Sequence, residues 1–203
     1  ESSAQISKVF SKTNSLYSSL INNISSYDLA LLKANKKEQK SLEKEVDELK
    51  SNVFYFIKNL DANSVEASKF YILILSYLQD MVQSIDFLTS NSYSHVHNNH
   101  KPLKENQISD LKTIDSQMSQ LLLLLEESFK SDDFHKIDLI LEEKEMVLNT
   151  VSELITKQII RIRTTETSPK NSKFYLALLL ETNDLVKSIM NLLELFKEFN
   201  QLN

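Results

Sequence analysis

One segment of this chain occurs twice. Ser68-Lys-Phe-Tyr-Ile-Leu-Ile-Leu-Ser-Tyr-Leu-Gln-Asp-Met-Val-Gln-Ser-Ile85 aligns without a gap on Ser172-Lys-Phe-Tyr-Leu-Ala-Leu-Leu-Leu-Glu-Thr-Asn-Asp-Leu-Val-Lys-Ser-Ile189, 104 residues further along a chain of 203. Nine of the eighteen positions are identical, which shared helical composition alone does not require. The Ser-Lys-Phe-Tyr opening and the Asp-x-Val-x-Ser-Ile close go beyond apolar periodicity. The chain therefore reads as two similar units, 1–101 and 102–203. Each unit is small for an independent core, so the two are expected to pack as one domain.

Composition narrows the fold class. The chain has no glycine, no cysteine and no tryptophan, and only two prolines. Phosphate-cradling loops, dinucleotide fingerprints and nucleophile elbows all need glycine backbone. Tight two-residue hairpins want it as well, so the class expected is all-α. Without cysteine there are no disulfides, thiolate zinc sites or cysteine nucleophiles. Hydrophobic residues make up 41% of the chain, enough for a continuous core. The net charge of −5, with Arg161 and Arg163 the only arginines, argues against nucleic acid. No apolar run approaches the ~20 residues that span a bilayer; the longest are Phe70–Leu75 and Phe174–Leu180. No basic segment followed by an apolar core marks a signal peptide at Glu1.

Apolar residues at three- and four-residue steps predict six helices. They run over about 4–26, 29–60, 65–97, 105–130, 133–165 and from 169 to Leu195 or beyond. Breaks fall at Ser25-Ser-Tyr-Asp28, at the turn and cap cluster Asp61-Ala-Asn-Ser64, before Pro102 and near Ser131-Asp-Asp133. Ser168-Pro169 supplies a cap and a first-turn proline for the last helix. In the fifth, Ile137, Ile140, Leu141, Val147, Val151, Leu154 and Ile162 are expected on one buried stripe. The two units are thus two three-helix bundles in tandem.

That organisation resembles PhoU, the regulator of bacterial phosphate uptake. The stretch from about Glu38 to Lys197 looks like the PhoU-like tail of Bacteroidetes-type inorganic phosphate transporters of the PiT family. The residues that carry the resemblance are Leu42-Glu-Lys-Glu-Val-Asp-Glu-Leu-Lys, Ala67-Ser-Lys-Phe-Tyr with Tyr77-Leu-Gln, and Ser92-Tyr-Ser-His-Val-His-Asn-Asn-His-Lys. Lys157-Gln-Ile-Ile-Arg-Ile-Arg and Glu166-Thr-Ser-Pro-Lys-Asn-Ser continue it. The most distinctive match is Asn98-Asn99-His100-Lys101. The resemblance implies a transmembrane transporter part upstream of Glu1 as partner. It also implies the cytoplasmic face of the inner membrane as location, and a regulatory role without enzymatic activity. A homodimer is a further partner considered, and nucleic acid is not.

PhoU proteins gather metal ions with a Glu/Asp-x-x-x-Asp motif on the third helix of each repeat, so the resemblance implies a divalent or ferric ion as the cofactor to look for. Carboxylates one turn apart share a helix face and offer hard oxygen ligands. The equivalents here are Asp80-Met-Val-Gln-Ser84 and Asp184-Leu-Val-Lys-Ser188, with serine in place of the second acid both times. Glu181, one turn before Asp184, can replace it; its counterpart Tyr77 cannot, and Asp86 is nearly two turns from Asp80. The candidate metal residues are therefore Asp80, Glu181 and Asp184.

Two other groups stand out. His95 and His97 point about 200° apart on a helix, so with His100 they form a polar helix cap more readily than a zinc site. The segment His97, Asn98, Asn99, His100 and Lys101 is also a candidate docking surface. Arg161 and Arg163, near Lys157 and Lys170, form the one compact basic patch. It is either an anion site or a complement to the helix C-terminus.

No serine sits in a strand-turn-helix context, and no Glu-x-x-His occurs for a ferritin-like di-iron site. No catalytic residue is assigned. Two readings stand: a regulatory domain of a phosphate transporter, and a ligand-free helical interaction or dimerisation module.

Overall fold

The computed structural model describes residues 2–59 and 65–202, with side chains described for 3–59 and 65–199. Among the described residues six helices account for the fold: α1 (Ser2–Ser25), α2 (Leu29–Lys58), α3 (Val65–His97), α4 (Glu105–Ser131), α5 (Ile137–Thr164) and α6 (Pro169–Leu202). No strand occurs among them. The turn expected at 61–64 lies outside the described residues. No described helix is long and apolar enough to cross a membrane.

Local chemistry sets the helix ends. Asp28 caps α2, its Oδ1 accepting the Leu31 amide at 3.0 Å. Ser168 caps α6 by accepting the Asn171 amide at 3.2 Å. In a chain without glycine, the left-handed residue that ends a helix must come from elsewhere. Tyr27, Asn99 and Asp132 take it, with φ of 55°, 57° and 51°. After each, the next amide reaches back five residues: Asp28 to the Asn23 carbonyl, His100 to that of His95 and Asp133 to that of Ser128. The fifth helix starts later than its periodicity suggests. Asp133 Oδ1 accepts the His135 amide at 3.1 Å, and this side-chain turn holds the chain out of helix until Ile137.

The broadest interfaces run between the halves. α1 lies along α4 and α3 along α6, while α2 covers α1 and α3, and α5 covers α4 and α6. Both central pairs are antiparallel. On α1 and α4, Ser18 donates to Asp115 at 3.0 Å and Ser7 donates to the Glu126 carbonyl at 2.8 Å. On α3 and α6, Phe70 meets Phe199 at one end and His95 meets Phe174 at the other. Each pair joins repeat-equivalent helices, so the duplication is laid out as a pseudo-two-fold body. The core is one continuous cluster from Ile6 to Phe196, not two.

Burial follows periodicity with one correction. Ile140, Val147, Val151 and Leu154 are buried on α5, but Ile162 is 45% exposed, beside exposed Ile159 and Ile160. In the last turns the inward positions are Gln158 and Arg161, bonded to α4 and α6, and Ile162 falls at the margin of that stripe. At the far end from those turns, Phe10, Phe129, Phe134, Phe196, Phe70 and Phe199 form an aromatic chain through α1, α4, α6 and α3.

Candidate functional site

The polar residues collect at the opposite end, where α3 and α4 meet the start of α6. The segment Asn98–Lys101 is the turn out of α3. Asn99 holds the left-handed position, and the His100 amide bonds the His95 carbonyl at 3.0 Å. The Tyr27 hydroxyl, from the α1–α2 turn, donates to the His100 carbonyl. The histidines separate as their helical spacing requires. His97 is exposed and stacks on Tyr93 at 5.3 Å, whereas His95 is 4% exposed. The His95 ring lies flat on Phe174 at 4.1 Å and takes the edge of His100 at 5.2 Å. Its Nε2–H donates to the Lys101 carbonyl at 2.7 Å. Burial, with His100 adding to it, pulls the His95 pKa below the usual imidazole range, against the pull of the Lys101 carbonyl. That shift favours the neutral imidazole.

Beside it opens a cleft of about 360 Å³ between the end of α3 and the first turns of α6. Asn91, Ser94 and His95 line one wall, Asn98 and His100 the rim, and Lys170, Lys173 and Phe174 the other wall. No carboxylate lines it among the described residues. Neither lysine makes an ion pair with a described residue, and both are exposed. The cleft therefore joins part of the docking segment, Asn98 and His100, to Lys170 from beside the basic patch. Sequence reasoning missed Lys173 and Phe174 as site residues. They belong to the repeated Ser-Lys-Phe-Tyr motif, whose duplication pointed only to packing.

Arg161 and Arg163 are divided by the structure. Arg161 is largely buried, and its guanidinium donates to Asp110 Oδ2 at 3.0 Å and to Gln158 Oε1 at 3.1 Å. Tyr175, fully buried, donates its hydroxyl to the same Asp110 oxygen at 3.1 Å. Gln107 bridges Gln158 and Asn171 at 3.2 and 2.9 Å, and Gln158 donates to Ser172 at 3.0 Å. Burial opposes the Arg161 charge, but Asp110 and Tyr175 outweigh it and raise its pKa. Burial and Asp110 likewise push the Tyr175 hydroxyl well above its usual range. This network ties α4, α5 and α6 together and occupies the cation that an anion would need. Arg163 is exposed and apart from it.

The metal candidates are not brought together. Asp80 is exposed in a groove beside α2, near Glu43, Asp47 and Asp86. Glu181 and Asp184 are neighbours on α6, where burial and the Asp184 charge raise the Glu181 pKa. Asp80 lies on α3 and Asp184 on α6, both exposed. Among the described residues no three histidine, aspartate or glutamate side chains are placed to hold a metal ion.

No protein-family model, curated protein or solved structure matches this chain.

Proposed function

We propose that this chain is the PhoU-like regulatory domain of an inorganic phosphate transporter, acting at the cytoplasmic face of the inner membrane and modulating uptake without catalysing a reaction. The observation that supports this reading is the packing of repeat-equivalent helices, α1 on α4 and α3 on α6, into one body, in keeping with the tandem three-helix units the resemblance implies. The distinctive Asn98–Lys101 segment sits at one end of that body, beside the cationic cleft. A rigid turn, fixed by Tyr27 and the His95 ring, suits a surface that transmits a state to a partner. The partner is the transmembrane part of the same transporter.

The test is uptake of radiolabelled phosphate in cells whose transporter gene lacks the codons for these 203 residues. Uptake that no longer falls when cells move to phosphate-rich medium is the expected result. Unchanged uptake and unchanged regulation would remove the reading.

A ligand-free dimerisation module is the second reading, and one observation favours it. Phe54, Tyr55 and Phe56 near the end of α2 are 52%, 73% and 45% exposed. A concentration-dependent dimer in sedimentation, lost on Tyr55→Ser with Phe54→Ser, would support it.

A further inference from the structure

From the cleft beside His95 we infer a binding site for inorganic phosphate in its singly protonated form. The inference deepens the transporter reading by giving the domain a ligand, but it stands on the geometry of the cleft.

The hydrogen bonding of His95 sets what a ligand in the cleft can use. A carbonyl only accepts, so the 2.7 Å contact with the Lys101 carbonyl places the proton of neutral His95 on Nε2. Nδ1 is then a lone pair, and no described residue donates to it. His95 lines the cleft, so a ligand there that brings a hydrogen-bond donor can use Nδ1 in place of water. The other wall asks for negative charge. Lys170 and Lys173 stand there with no ion-pair partner or lining carboxylate among the described residues, in a protein of net charge −5. Asn91, Ser94 and Asn98 add neutral donors along the α3 wall. Anionic oxygens and an O–H on one small group describe hydrogen phosphate. Sulfate and a phosphomonoester dianion have the shape and charge but no proton to give.

The repeat supplies an independent argument. The same 104-residue offset carries His95 onto Phe199, Ser94 onto Glu198 and Lys170 back onto Glu66. At the aromatic end, therefore, the equivalent positions hold a phenylalanine and two acids. Lys173 does have a counterpart, Lys69, but that lysine is paired with Glu66 at 3.5 Å. Among the described residues the unpaired lysine pair beside a histidine is found at one end only, so its chemistry is not a by-product of the duplicated fold. The stacked pair is kept at both ends, as Phe70 on Phe199 and Phe174 on His95. The exchange of Phe for His at position 95 keeps the ring and adds the lone pair.

The test is isothermal titration of the 203-residue chain, near pH 8 and at low salt, with inorganic phosphate, sulfate and methyl phosphate. At that pH a phosphomonoester has lost its last proton (pKa about 6). Phosphate is expected to bind at least about tenfold more tightly than either competitor, since an acceptor left facing an anionic oxygen is penalised. His95→Phe, which copies the repeat's own residue, is expected to abolish the preference. Lys170→Glu with Lys173→Gln, both on the exposed surface, is expected to abolish binding of all three while leaving the melting temperature in place. No heat with phosphate, or equal binding of sulfate or the ester, would overturn the inference. A deletion phenotype in uptake without phosphate binding here would leave the transporter reading standing and remove this site alone.

Discussion

His95 lies flat on Phe174, with 4.1 Å between ring centroids and 14° between their planes. Its counterpart under the internal duplication, Phe199, lies in the same way on Phe70, at 4.0 Å and 20°. These two stacks sit at opposite ends of the α3–α6 pair and mark the pseudo-two-fold. At one end phenylalanine stacks on phenylalanine; at the other a histidine takes the place of one ring.

Truncating either phenylalanine should therefore be severe. Phe70 and Phe174 are 7% and 6% exposed. Replacing a buried phenylalanine by alanine costs about 3 to 5 kcal/mol. Denaturant unfolding of Phe70→Ala and Phe174→Ala is expected to show losses in that range for both. A loss of less than about 1 kcal/mol at either would mean that the stack is not part of the core.

The two arginines should behave differently. Arg161→Met leaves Asp110 beside Tyr175 without its guanidinium, with Lys157 3.9 Å from its other oxygen. Stripping one partner from a buried pair costs about 3 to 5 kcal/mol. The Arg161 and Asp110 side chains are 16% and 14% exposed. With that exposure and Lys157 near, a loss of about 2 kcal/mol is expected. Arg163 is exposed. Its replacement by methionine should change stability by less than about 0.5 kcal/mol. Equal effects at the two sites would contradict the network.

Glycine should help where its absence is felt. Asp132 and Asn99 hold positive φ, a conformation that strains a side chain and suits glycine. Asp132→Gly is expected to raise stability by about 0.5 to 1 kcal/mol, the left-handed penalty of a side-chain residue less the extra unfolded-state freedom of glycine. Tyr27→Gly should do the opposite, because the half-buried ring and its hydroxyl bond to His100 are lost with the strain. Thermal unfolding of the pair checks the contrast in sign.

Stability should fall with acid through His95. Burial depresses its folded pKa, while the unfolded chain titrates near the ordinary value of about 6.5. Below that value the unfolded state takes up a proton that the folded state refuses, so stability drops as the pH falls from about 6.5 towards the folded value. His100, next to His95, and Lys170 and Lys173 across the cleft oppose the imidazolium as well. His95→Phe is expected to flatten this part of the curve, measured by urea unfolding between pH 7 and 5. An identical slope in the variant would assign the effect elsewhere.

The helices were legible because an amphipathic period repeats over many residues and survives local noise. α3 begins and ends where its apolar steps and Pro102 place it. The start of α5 was not, because one side-chain turn at Asp133 overrides the period for four residues. Ile162 falls at the margin of the α5 stripe because Arg161 takes the inward place through Asp110, which the pattern of one helix does not reveal. The pairing of Arg161 with Asp110 joins residues 51 apart in sequence. Charges at that separation look free until the helices are packed. The same holds for the cleft: Lys173 and Phe174 were visible as half of a repeat, and only the antiparallel crossing of α3 and α6 brings them to His95.

The most direct measurement is a long-range nitrogen–proton NMR correlation of the histidine rings during titration with phosphate and then with sulfate. The account predicts His95 as the neutral Nε2–H tautomer, with its Nδ1 resonance moving towards that of a hydrogen-bonded nitrogen as phosphate is added and staying in place with sulfate. A proton already on Nδ1, or an Nδ1 signal indifferent to phosphate, would contradict it.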